Sequence, residues 1–273
     1  MVEYEIKPVA KLGFGVDELW RYRELFYFYT WRDIKVRYKQ TFFGFAWAVM
    51  QPILMMVLFT FFFGKKLGVP SDSMPYPIFV FTGLLMWNIF STGLTSASNS
   101  IINNAHIIKK IYFPRLIIPL SSVMVTLFDF LMALTIYIVL MLYYAVDINI
   151  LEVVGALIIA LIITSLTTFG LGTFLAALNI KYRDFKYVIP YTIQVLLFVS
   201  PVIYPVSIVT NVWAKYLLAI NPLSGAITLM RSAISDVPPD WNMVLISAVC
   251  AVIYFIGGVL YFKSSESYFA DIV

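Results

Sequence analysis

The chain has 273 residues, of which 61% are hydrophobic and 12% are charged, and its mean hydropathy is +0.88. About 25% of the residues of a soluble domain are charged, so this composition excludes an ordinary water-soluble protein and indicates a membrane protein. The single cysteine, Cys250, excludes an internal disulfide, and the single histidine, His106, excludes a cluster of histidine ligands for a metal. The net charge of +4 is too small to indicate nucleic-acid binding.

Residues 1–40 form a charged and aromatic arm, which we predict to be an amphipathic helix in the plane of the lipid headgroups. Charged residues recur at helical spacing on one side, opposite an aromatic side. The charged side contains Asp17, Arg21, Glu24, Arg32, Lys35 and Lys39, and the aromatic side contains Trp20, Tyr27, Trp31, Ile34 and Tyr38. The cations either meet anionic lipid or serve only as a topology signal, and the sequence leaves both interpretations open.

Six stretches are apolar enough and long enough to cross a bilayer, which takes about 20 residues. We predict membrane helices at residues 41–64, 76–100, 116–144, 153–178, 187–206 and 241–262, within a transmembrane domain of residues 41–262. Asp129 is the one charged residue inside these stretches. A carboxylate at mid-span costs about 2.5–3.5 kcal/mol on insertion scales, so we expect it to face protein or water in a structural hydrogen-bonding role.

The connection at residues 207–240 contains an uncharged run of 15 residues, Tyr216–Met230. This run is short for a span, and Pro222 and Gly225 interrupt it. We predict a short re-entrant hairpin on the outer side of the membrane, with a short seventh span as the alternative. The fold class is therefore all-α: a polytopic membrane protein with six transmembrane helices, an interfacial arm and an outer hairpin.

The positions of lysine and arginine predict the orientation of the chain. If the N-terminus is cytoplasmic, 15 of the 19 cations lie in cytoplasmic segments, namely the arm, the loop at 101–115, the connection after the fourth span and the tail at 263–273. Lys65, Lys66, Lys215 and Arg231 would lie outside. Because positive residues concentrate on the cytoplasmic side, we expect both termini in the cytoplasm.

A polar stripe runs along one face of the second predicted helix. It consists of Asn88, Ser91, Thr92, Thr95 and Asn99. Such a stripe either lines a wet path or joins helices, and both interpretations stay open. The candidates for lining a path are Trp47, Gln51, Asn88, Thr92, Thr95, Asn99, Tyr191 and Gln194. Aromatic walls suit a glycan, because the C–H faces of sugar rings stack on aromatic planes and can slide along them.

Motifs for chemistry are absent from the sequence. It contains no G-x-x-x-x-G-K-[ST] phosphate loop, no G-x-S-x-G elbow and no H-E-x-x-H pair. The sequence therefore predicts neither an enzyme nor a cofactor bound by this chain. Active transport would take its energy from another chain or from an ion gradient.

Three separated motifs resemble the permease subunits of ABC transporters that export polysaccharides. They are RDIKVRYKQTFFGFAWAVMQP at 32–52, NIKYRDFKYVIP at 179–190 and INPLSGAITLMR at 220–231. In the motif at 32–52, the residues at the family's spacing are Arg37, Tyr38, Lys39, Thr41, Gly44, Trp47 and Pro52. The order and spacing of the motifs match the family over essentially the whole chain.

The resemblance implies a homodimeric permease in the bacterial cytoplasmic (inner) membrane, bound to two separate nucleotide-binding subunits that hold ATP and Mg. It implies export of a polysaccharide linked to undecaprenyl diphosphate, such as O-antigen, capsule or teichoic acid. Arg32, Lys35, Arg37 and Lys39 would meet the substrate headgroup. The loop at 101–115 would couple to the ATPase through His106, Ile107, Lys109, Lys110 and Tyr112. An outer gate would contain Tyr204, Pro205, Asn221, Pro222 and Arg231.

Other functions stay open on the sequence alone. An ABC permease that exports a small drug or lipid would share the motifs. An ion-coupled secondary transporter or channel would have Asp129 as its one charged residue within the spans. A membrane-embedded enzyme would lack any recognised nucleophile or metal motif.

Overall fold

The computed structural model describes residues 16–39, 44–182, 184–235, 237–266 and 269. The motif residue Thr41 and the side chain of Trp47 lie outside the described part. Throughout these ranges the regular elements are helices and no strand occurs, which confirms the all-α prediction.

The arm forms two helices, α1 (Val16–Arg21) and α2 (Arg23–Lys39). The next five helices are four long helices of the apolar bundle and one short helix that connects two of them. They are α3 (Gly44–Phe59), α4 (Tyr76–Asn103), the single turn α5 (Ala105–Ile108), α6 (Ile117–Tyr143) and α7 (Ile150–Lys181). The last four are α8 (Phe185–Val199), α9 (Val212–Ala219), α10 (Pro222–Ser232) and α11 (Trp241–Ser265).

Within the described residues, five helical segments are long and apolar enough to cross a membrane. They are Val49–Lys66, which joins α3 to a π-helix at Thr60–Lys66, together with α4, α6, α7 and α11. The chain is therefore a multi-pass membrane protein, as predicted.

The fifth predicted span, at 187–206, is wrong in its length. Helix α8 has 15 residues, which is about 22 Å of helix against about 30 Å of hydrocarbon. It ends at Val199, and the chain then runs in irregular backbone past Pro201 to Pro205. A proline cannot continue the hydrogen-bond ladder, and the residue before it disfavours helical geometry.

Helix α4 is the centre of the bundle. It packs against α3, α6, α7, α8 and α10. In its most apolar 18-residue segment, 78% of the residues are buried. Helix α7 packs against α4 on one side and α11 on the other. We call the end of the bundle that carries residues 104–116 and Glu266 the arm end, and the end that carries residues 200–240 the hairpin end.

Helices α7 and α11 cross with their backbones in contact at Gly170 and Gly258. A Cβ atom added to Gly258 would lie 1.9 Å from the carbonyl oxygen of Gly170, and one added to Gly170 would lie 2.5 Å from the Cα of Phe255. Only glycine permits this approach, because a side chain would push backbone against backbone. Small residues at such crossings are how helices associate closely in membranes.

The guanidinium of Arg231 fills the hairpin end of the core. Its side chain is 4% exposed, and its five N–H groups all donate to backbone carbonyls. Nε and Nη2 bond Phe79 O at 3.2 and 3.0 Å, and Nη2 also bonds Val202 O at 2.7 Å. Nη1 bonds Pro201 O at 2.7 Å and Tyr204 O at 3.3 Å. Arg231 therefore supplies donors to three carbonyls of the irregular segment that follows α8 and to one carbonyl of α4.

We expect Gly258→Ala to destabilise the fold, because the added methyl group has no room against Gly170. Overpacking of this kind costs about 1–3 kcal/mol. Gly257→Ala is the matched control, since nothing lies within 4 Å of a Cβ at Gly257. Thermal unfolding in detergent should show a lower midpoint for Gly258→Ala alone, and equal midpoints for the two variants would contradict the close crossing.

We expect Arg231→Lys to lower the unfolding midpoint although it retains the charge. An ammonium has three donors and no planar fork, and each buried carbonyl left without a donor costs about 1–3 kcal/mol. Lys215→Met is the control, because it removes a cation at the same end without uncovering these carbonyls. The interpretation of Arg231 as a carbonyl clamp would be wrong if Arg231→Lys unfolded at the wild-type temperature.

Candidate functional site

The arm packs against the bundle at the arm end. Tyr29 of α2 is buried, and its ring lies 5.8 Å from the ring of Phe113. Arg32 donates to the Asn104 side-chain oxygen at 3.0 Å, pairs with Asp33 at 2.7 Å and lies over the Tyr29 ring at 4.6 Å. These contacts join α2 to the loop between α4 and α6. Neither Tyr29 nor Asn104 was singled out from the sequence.

The last turns of α2 lie against the middle of α6. Arg37 Nη1 is 2.7 Å from Asp129 Oδ2, and the Tyr38 hydroxyl donates to Asp129 Oδ1. The expectation that Asp129 has hydrogen-bonding partners is confirmed by these contacts, and its structural role stays a prediction. Desolvation and the bond to Asp129 raise the pKa of the Tyr38 hydroxyl, which therefore stays protonated and donates.

This contact changes the predicted position of the arm. Asp129 is twelve residues beyond the start of α6, which corresponds to about 18 Å along the helix. The C-terminal end of α2 therefore lies beside the middle of a spanning helix, a contact that the prediction of a helix in the headgroup plane did not include. Tyr38 was placed on the aromatic side of the helix, and the structure turns its hydroxyl toward Asp129.

The four predicted headgroup residues divide into two pairs. Arg32 and Arg37 engage partners on the loop and on α6, as described above. Lys35 and Lys39 are exposed, and the Lys35 ammonium lies 5.2 Å from the centre of the Trp31 ring. Their role in binding a headgroup stays a prediction.

Aromatic side chains of the arm are exposed on the face away from the bundle. Tyr27 stacks on Trp31 with ring centres 6.5 Å apart and an angle of 8° between the planes. Trp20 and Phe28 are also exposed, and Arg23 lies 5.6 Å from the Trp20 ring. A face of aromatic rings with cations beside them is typical of a helix at a membrane surface.

The predicted coupling loop has an exposed surface that contains both charged and apolar side chains. His106, Lys109, Lys110, Ile111 and Tyr112 are exposed, Ile107 is half-buried, and Ile108 and Phe113 are buried. The residues from Ile108 to Phe113, with Arg115, line a hollow of about 200 Å³. The buried pair fixes the loop on the bundle while the exposed group faces away from it.

The same loop is bonded to the end of α11. The backbone N–H of Arg115 donates to Glu266 Oε1 at 3.1 Å, and its guanidinium donates to the Glu266 carbonyl. Phe269 is buried against Phe262, and Arg115 lies over its ring. Burial raises the pKa of the Glu266 carboxyl. Sequence reasoning missed Glu266 and Phe269, because both lie in the short tail beyond the last apolar stretch.

The polar stripe of α4 has two kinds of contact. Thr92 and Thr95 donate to the Asn88 and Ser91 carbonyls of their own helix, at 2.5 and 2.7 Å. Asn99 Oδ1 instead accepts from Asn179 of α7 at 3.1 Å, so this residue joins two helices. Sequence reasoning placed Asn179 in a motif without seeing this partner.

The other candidates for lining a path lie on the surface of the single chain. Gln51 on α3 and Tyr191 and Gln194 on α8 are exposed, Thr95 is exposed, and Asn88, Thr92 and Asn99 are half-buried. Helices α3 and α8 both contact α4. The structure therefore puts polar groups on three neighbouring helices, although no contact joins the whole set.

The predicted gate region is bonded firmly to the bundle. Asn221 caps α10 by accepting from Leu223 N at 3.2 Å, and its amide donates to Ser200 Oγ at 2.8 Å. Ser247 Oγ of α11 donates to Ala219 O at 2.9 Å and accepts from Gly225 N at 3.1 Å. Pro205 and Pro222 are buried, as is Arg231, and Tyr204 is half-buried. A gating role stays a prediction.

Comparison with known proteins places this geometry in a family. Residues 24–235 match the ABC-2 type transporter family. An O-antigen export system permease protein RfbA of Klebsiella pneumoniae is 30% identical over 244 residues, which cover 89% of this chain and 93% of that protein. The protein of the same name from Myxococcus xanthus is 28% identical over 261 residues, 94% of this chain and 98% of its own. The polysialic acid transport protein KpsM of Escherichia coli is 23% identical over 246 residues, 86% and 92% of the two chains.

The family match begins at the second residue of α2 and ends just beyond α10. It therefore includes the arm contact with Asp129, the loop at 104–116, the polar stripe of α4 and the Arg231 clamp. The resemblance seen in the three motifs is confirmed. The chain belongs to the ABC-2 type transporter family and is a transporter permease rather than an enzyme.

Proposed function

We propose that this chain is the channel-forming subunit of an ATP-driven exporter that moves lipid-linked polysaccharide, such as O-antigen on undecaprenyl diphosphate, across the bacterial inner membrane. The observation that carries the proposal is the similarity to O-antigen export permeases along nearly the whole chain. The arm end adds support, because it presents exposed lysines and aromatic rings where an anionic, sugar-bearing lipid would approach.

In this proposal the arm end faces the cytoplasm and both termini are cytoplasmic. The support is the charge distribution, since the arm, the loop and the start of α8 carry most of the cations. The hairpin end then faces outward. Lys65 and Lys66, at the end of the π-helix, lie there against the general rule.

A separate ATP-binding subunit would dock on the loop at 104–116. Support comes from its exposed cations and Tyr112, which surround the hollow beside the buried Ile108. Arg115 connects the loop to α11, and α6 begins directly after it. A displacement of the loop would therefore be transmitted to two spanning helices, α6 and α11.

A second copy of the chain would complete the conduit. Polar groups such as Gln51, Thr95 and Gln194 are exposed on an otherwise apolar bundle, where lipid would not hydrogen-bond them. A homodimer that turns these groups toward a shared, wet path would satisfy them. The exposed Tyr191 ring would offer that path a surface on which sugars stack.

We expect the double variant Lys109→Glu, Lys110→Glu to lose most ATP-driven export, because reversing both charges opposes docking of the ATPase. Its expression and unfolding midpoint should stay at wild-type values, since both side chains are exposed. The measurement is transport of lipid-linked glycan together with recovery of the ATPase on the purified permease.

The matched control is Lys65→Glu, Lys66→Glu, which makes the same charge change at the opposite end and should still retain the ATPase. Wild-type export by the Lys109→Glu, Lys110→Glu variant would contradict docking on this loop.

We expect Lys35→Ala, Lys39→Ala to weaken uptake of the lipid-linked substrate while leaving membrane insertion unchanged. A cation near an anionic surface contributes about 1 kcal/mol, so each replacement should weaken binding about fivefold, and added salt should reduce the difference. Insertion is measured by membrane fractionation and uptake by stimulation of the ATPase with lipid-linked glycan. If insertion and uptake fell equally, the lysines would act only as a topology signal.

The same assay separates the polysaccharide exporter from an exporter of small molecules. Lipid-linked glycan should stimulate the ATPase of the complex, and hydrophobic drugs should not. Stimulation by drugs alone would replace the proposed substrate.

A further inference from the structure

A cavity of about 210 Å³ lies at the hairpin end of the bundle, and charged side chains of both signs line it. Lys215 comes from α9, Asp240 precedes α11, and Asp72 lies in the segment between the π-helix and α4. The buried Arg231 also borders the cavity, so two positive and two negative groups balance there. Because the five N–H groups of Arg231 already donate to carbonyls, Lys215 is the lining cation that can donate to a ligand.

The opposite charges face the cavity without pairing with each other. Within the described part of the chain, no ion pair joins Lys215 to Asp72 or to Asp240. The two carboxylates instead accept from neutral donors, Asp72 from the Ser207 hydroxyl at 2.6 Å and Asp240 from the Met243 N–H at 3.2 Å. A carboxylate accepts several hydrogen bonds, so both can also receive a cationic donor. The cavity therefore offers a place for an anion and a place for a cation.

The cavity lies at the level where the apolar surface of the protein ends. Trp241, which is 61% exposed, begins a row of exposed side chains on α11 that continues through Leu245, Val249 and Ile253 at a spacing of four residues. An apolar row of this kind faces hydrocarbon, and a tryptophan at its end is typical of the boundary between hydrocarbon and headgroups. Asp240 directly precedes this tryptophan, so the cavity lies at headgroup depth.

Helix α9 shows the same division between membrane and cavity. Trp213 and Leu217 are exposed, and the Trp213 ring contacts that of Tyr216 with centres 6.4 Å apart. Tyr216 also lines a second hollow of about 160 Å³, which shares Lys215 and Asp240 with the first. A lipid whose headgroup entered the cavity would therefore have exposed aromatic and apolar side chains beside its acyl chains.

A zwitterionic headgroup with a primary ammonium matches this distribution of charge. Its phosphodiester accepts from the Lys215 ammonium, and its own ammonium donates to Asp72 and Asp240. Phosphatidylglycerol brings a phosphate but no cation, so the two carboxylates would repel it. Phosphatidylcholine brings a cation without N–H groups, which cannot donate to the carboxylates.

We propose that this cavity binds the headgroup of a zwitterionic phospholipid with a primary ammonium, of which phosphatidylethanolamine is the simplest example. Lys215 holds the phosphate, and Asp72 and Asp240 hold the ammonium. The bound lipid connects α9, the start of α11 and the segment before α4 at one end of the bundle. The site does not depend on which substrate the chain exports.

The test is lipid binding to the purified full-length chain, measured by native mass spectrometry. The probes are phosphatidylethanolamine, phosphatidylcholine and phosphatidylglycerol with identical acyl chains. We expect phosphatidylethanolamine to bind about tenfold more tightly than the other two, because it alone gives the carboxylates a cation with N–H donors. Soluble phosphoethanolamine at the same concentration should not displace it, since it has no acyl chains. Displacement would contradict a lipid as the occupant.

Two asparagine replacements remove the negative charges and keep the local structure. Asparagine tolerates the left-handed backbone of Asp72, whose φ is 48°, and can still accept from the Ser207 hydroxyl. It is also a good helix N-cap, so Asp240→Asn keeps the bond from the Met243 N–H. In the double variant Asp72→Asn, Asp240→Asn, phosphatidylethanolamine should lose its advantage over phosphatidylcholine, and phosphatidylglycerol binding should not fall.

Lys215→Met should have a different signature. All three lipids carry a phosphate, so their binding should weaken together in this variant. Asp147→Asn is the matched control, because Asp147 is an exposed carboxylate at the same end of the bundle and outside the lining of the cavity. It should keep the wild-type affinities for all three lipids. A merely structural role of Asp72 and Asp240 would change the three affinities alike.

Equal affinities of the wild-type chain for the three lipids would overturn the inference. So would a preference for phosphatidylethanolamine that survives in the double variant Asp72→Asn, Asp240→Asn. The inference and the proposed function fail separately. Selective binding without glycan export would leave the lipid site standing, and export without selective binding would leave only the exporter.

Discussion

A buried guanidinium makes the hairpin end of this protein possible. In an apolar bundle every backbone carbonyl needs a donor from the protein, so a helix cannot simply stop part-way across. Arg231 supplies five donors to four carbonyls, and the chain can therefore leave α8 early and return through α9 and α10. Gly83 is needed as well, since a Cβ there would lie 3.0 Å from both Arg231 Nη2 and Val202 O.

The two ends of the bundle meet the same constraint in different ways. At the hairpin end the charge of Arg231 is spread over neutral carbonyls and sealed from solvent. At the arm end Arg37 forms a partly exposed ion pair with Asp129, and Arg115 bonds Glu266 through its backbone N–H and through the Glu266 carbonyl. The charge of Arg231 is therefore held by neutral carbonyls, and that of Arg37 is held by an ion pair.

Apolar length and charge position predicted most of the spans, because the bilayer imposes both on the sequence directly. Asp129 could be predicted to have a partner, since its cost in mid-span demands one, but the sequence did not identify Arg37 and Tyr38. Both were assigned to an interfacial helix on the basis of helical periodicity, which says nothing about depth. The length of α8 was missed because its continuation is apolar, and only the distant Arg231 makes irregular backbone stable there. Glu266 carried no signal in the sequence, because it is one of three charged residues in a short tail.

The crossing of α7 and α11 has a mechanical consequence. Where two helices touch through side chains, a small displacement of one is absorbed by rotamer changes in the layer between them. At Gly170 and Gly258 no side chain lies between the two backbones, so the two helices cannot shift there without moving each other. The C-terminal end of α11 is bonded to the loop through Arg115 and Glu266. A displacement of the loop would therefore move α7 and α11 together rather than one past the other.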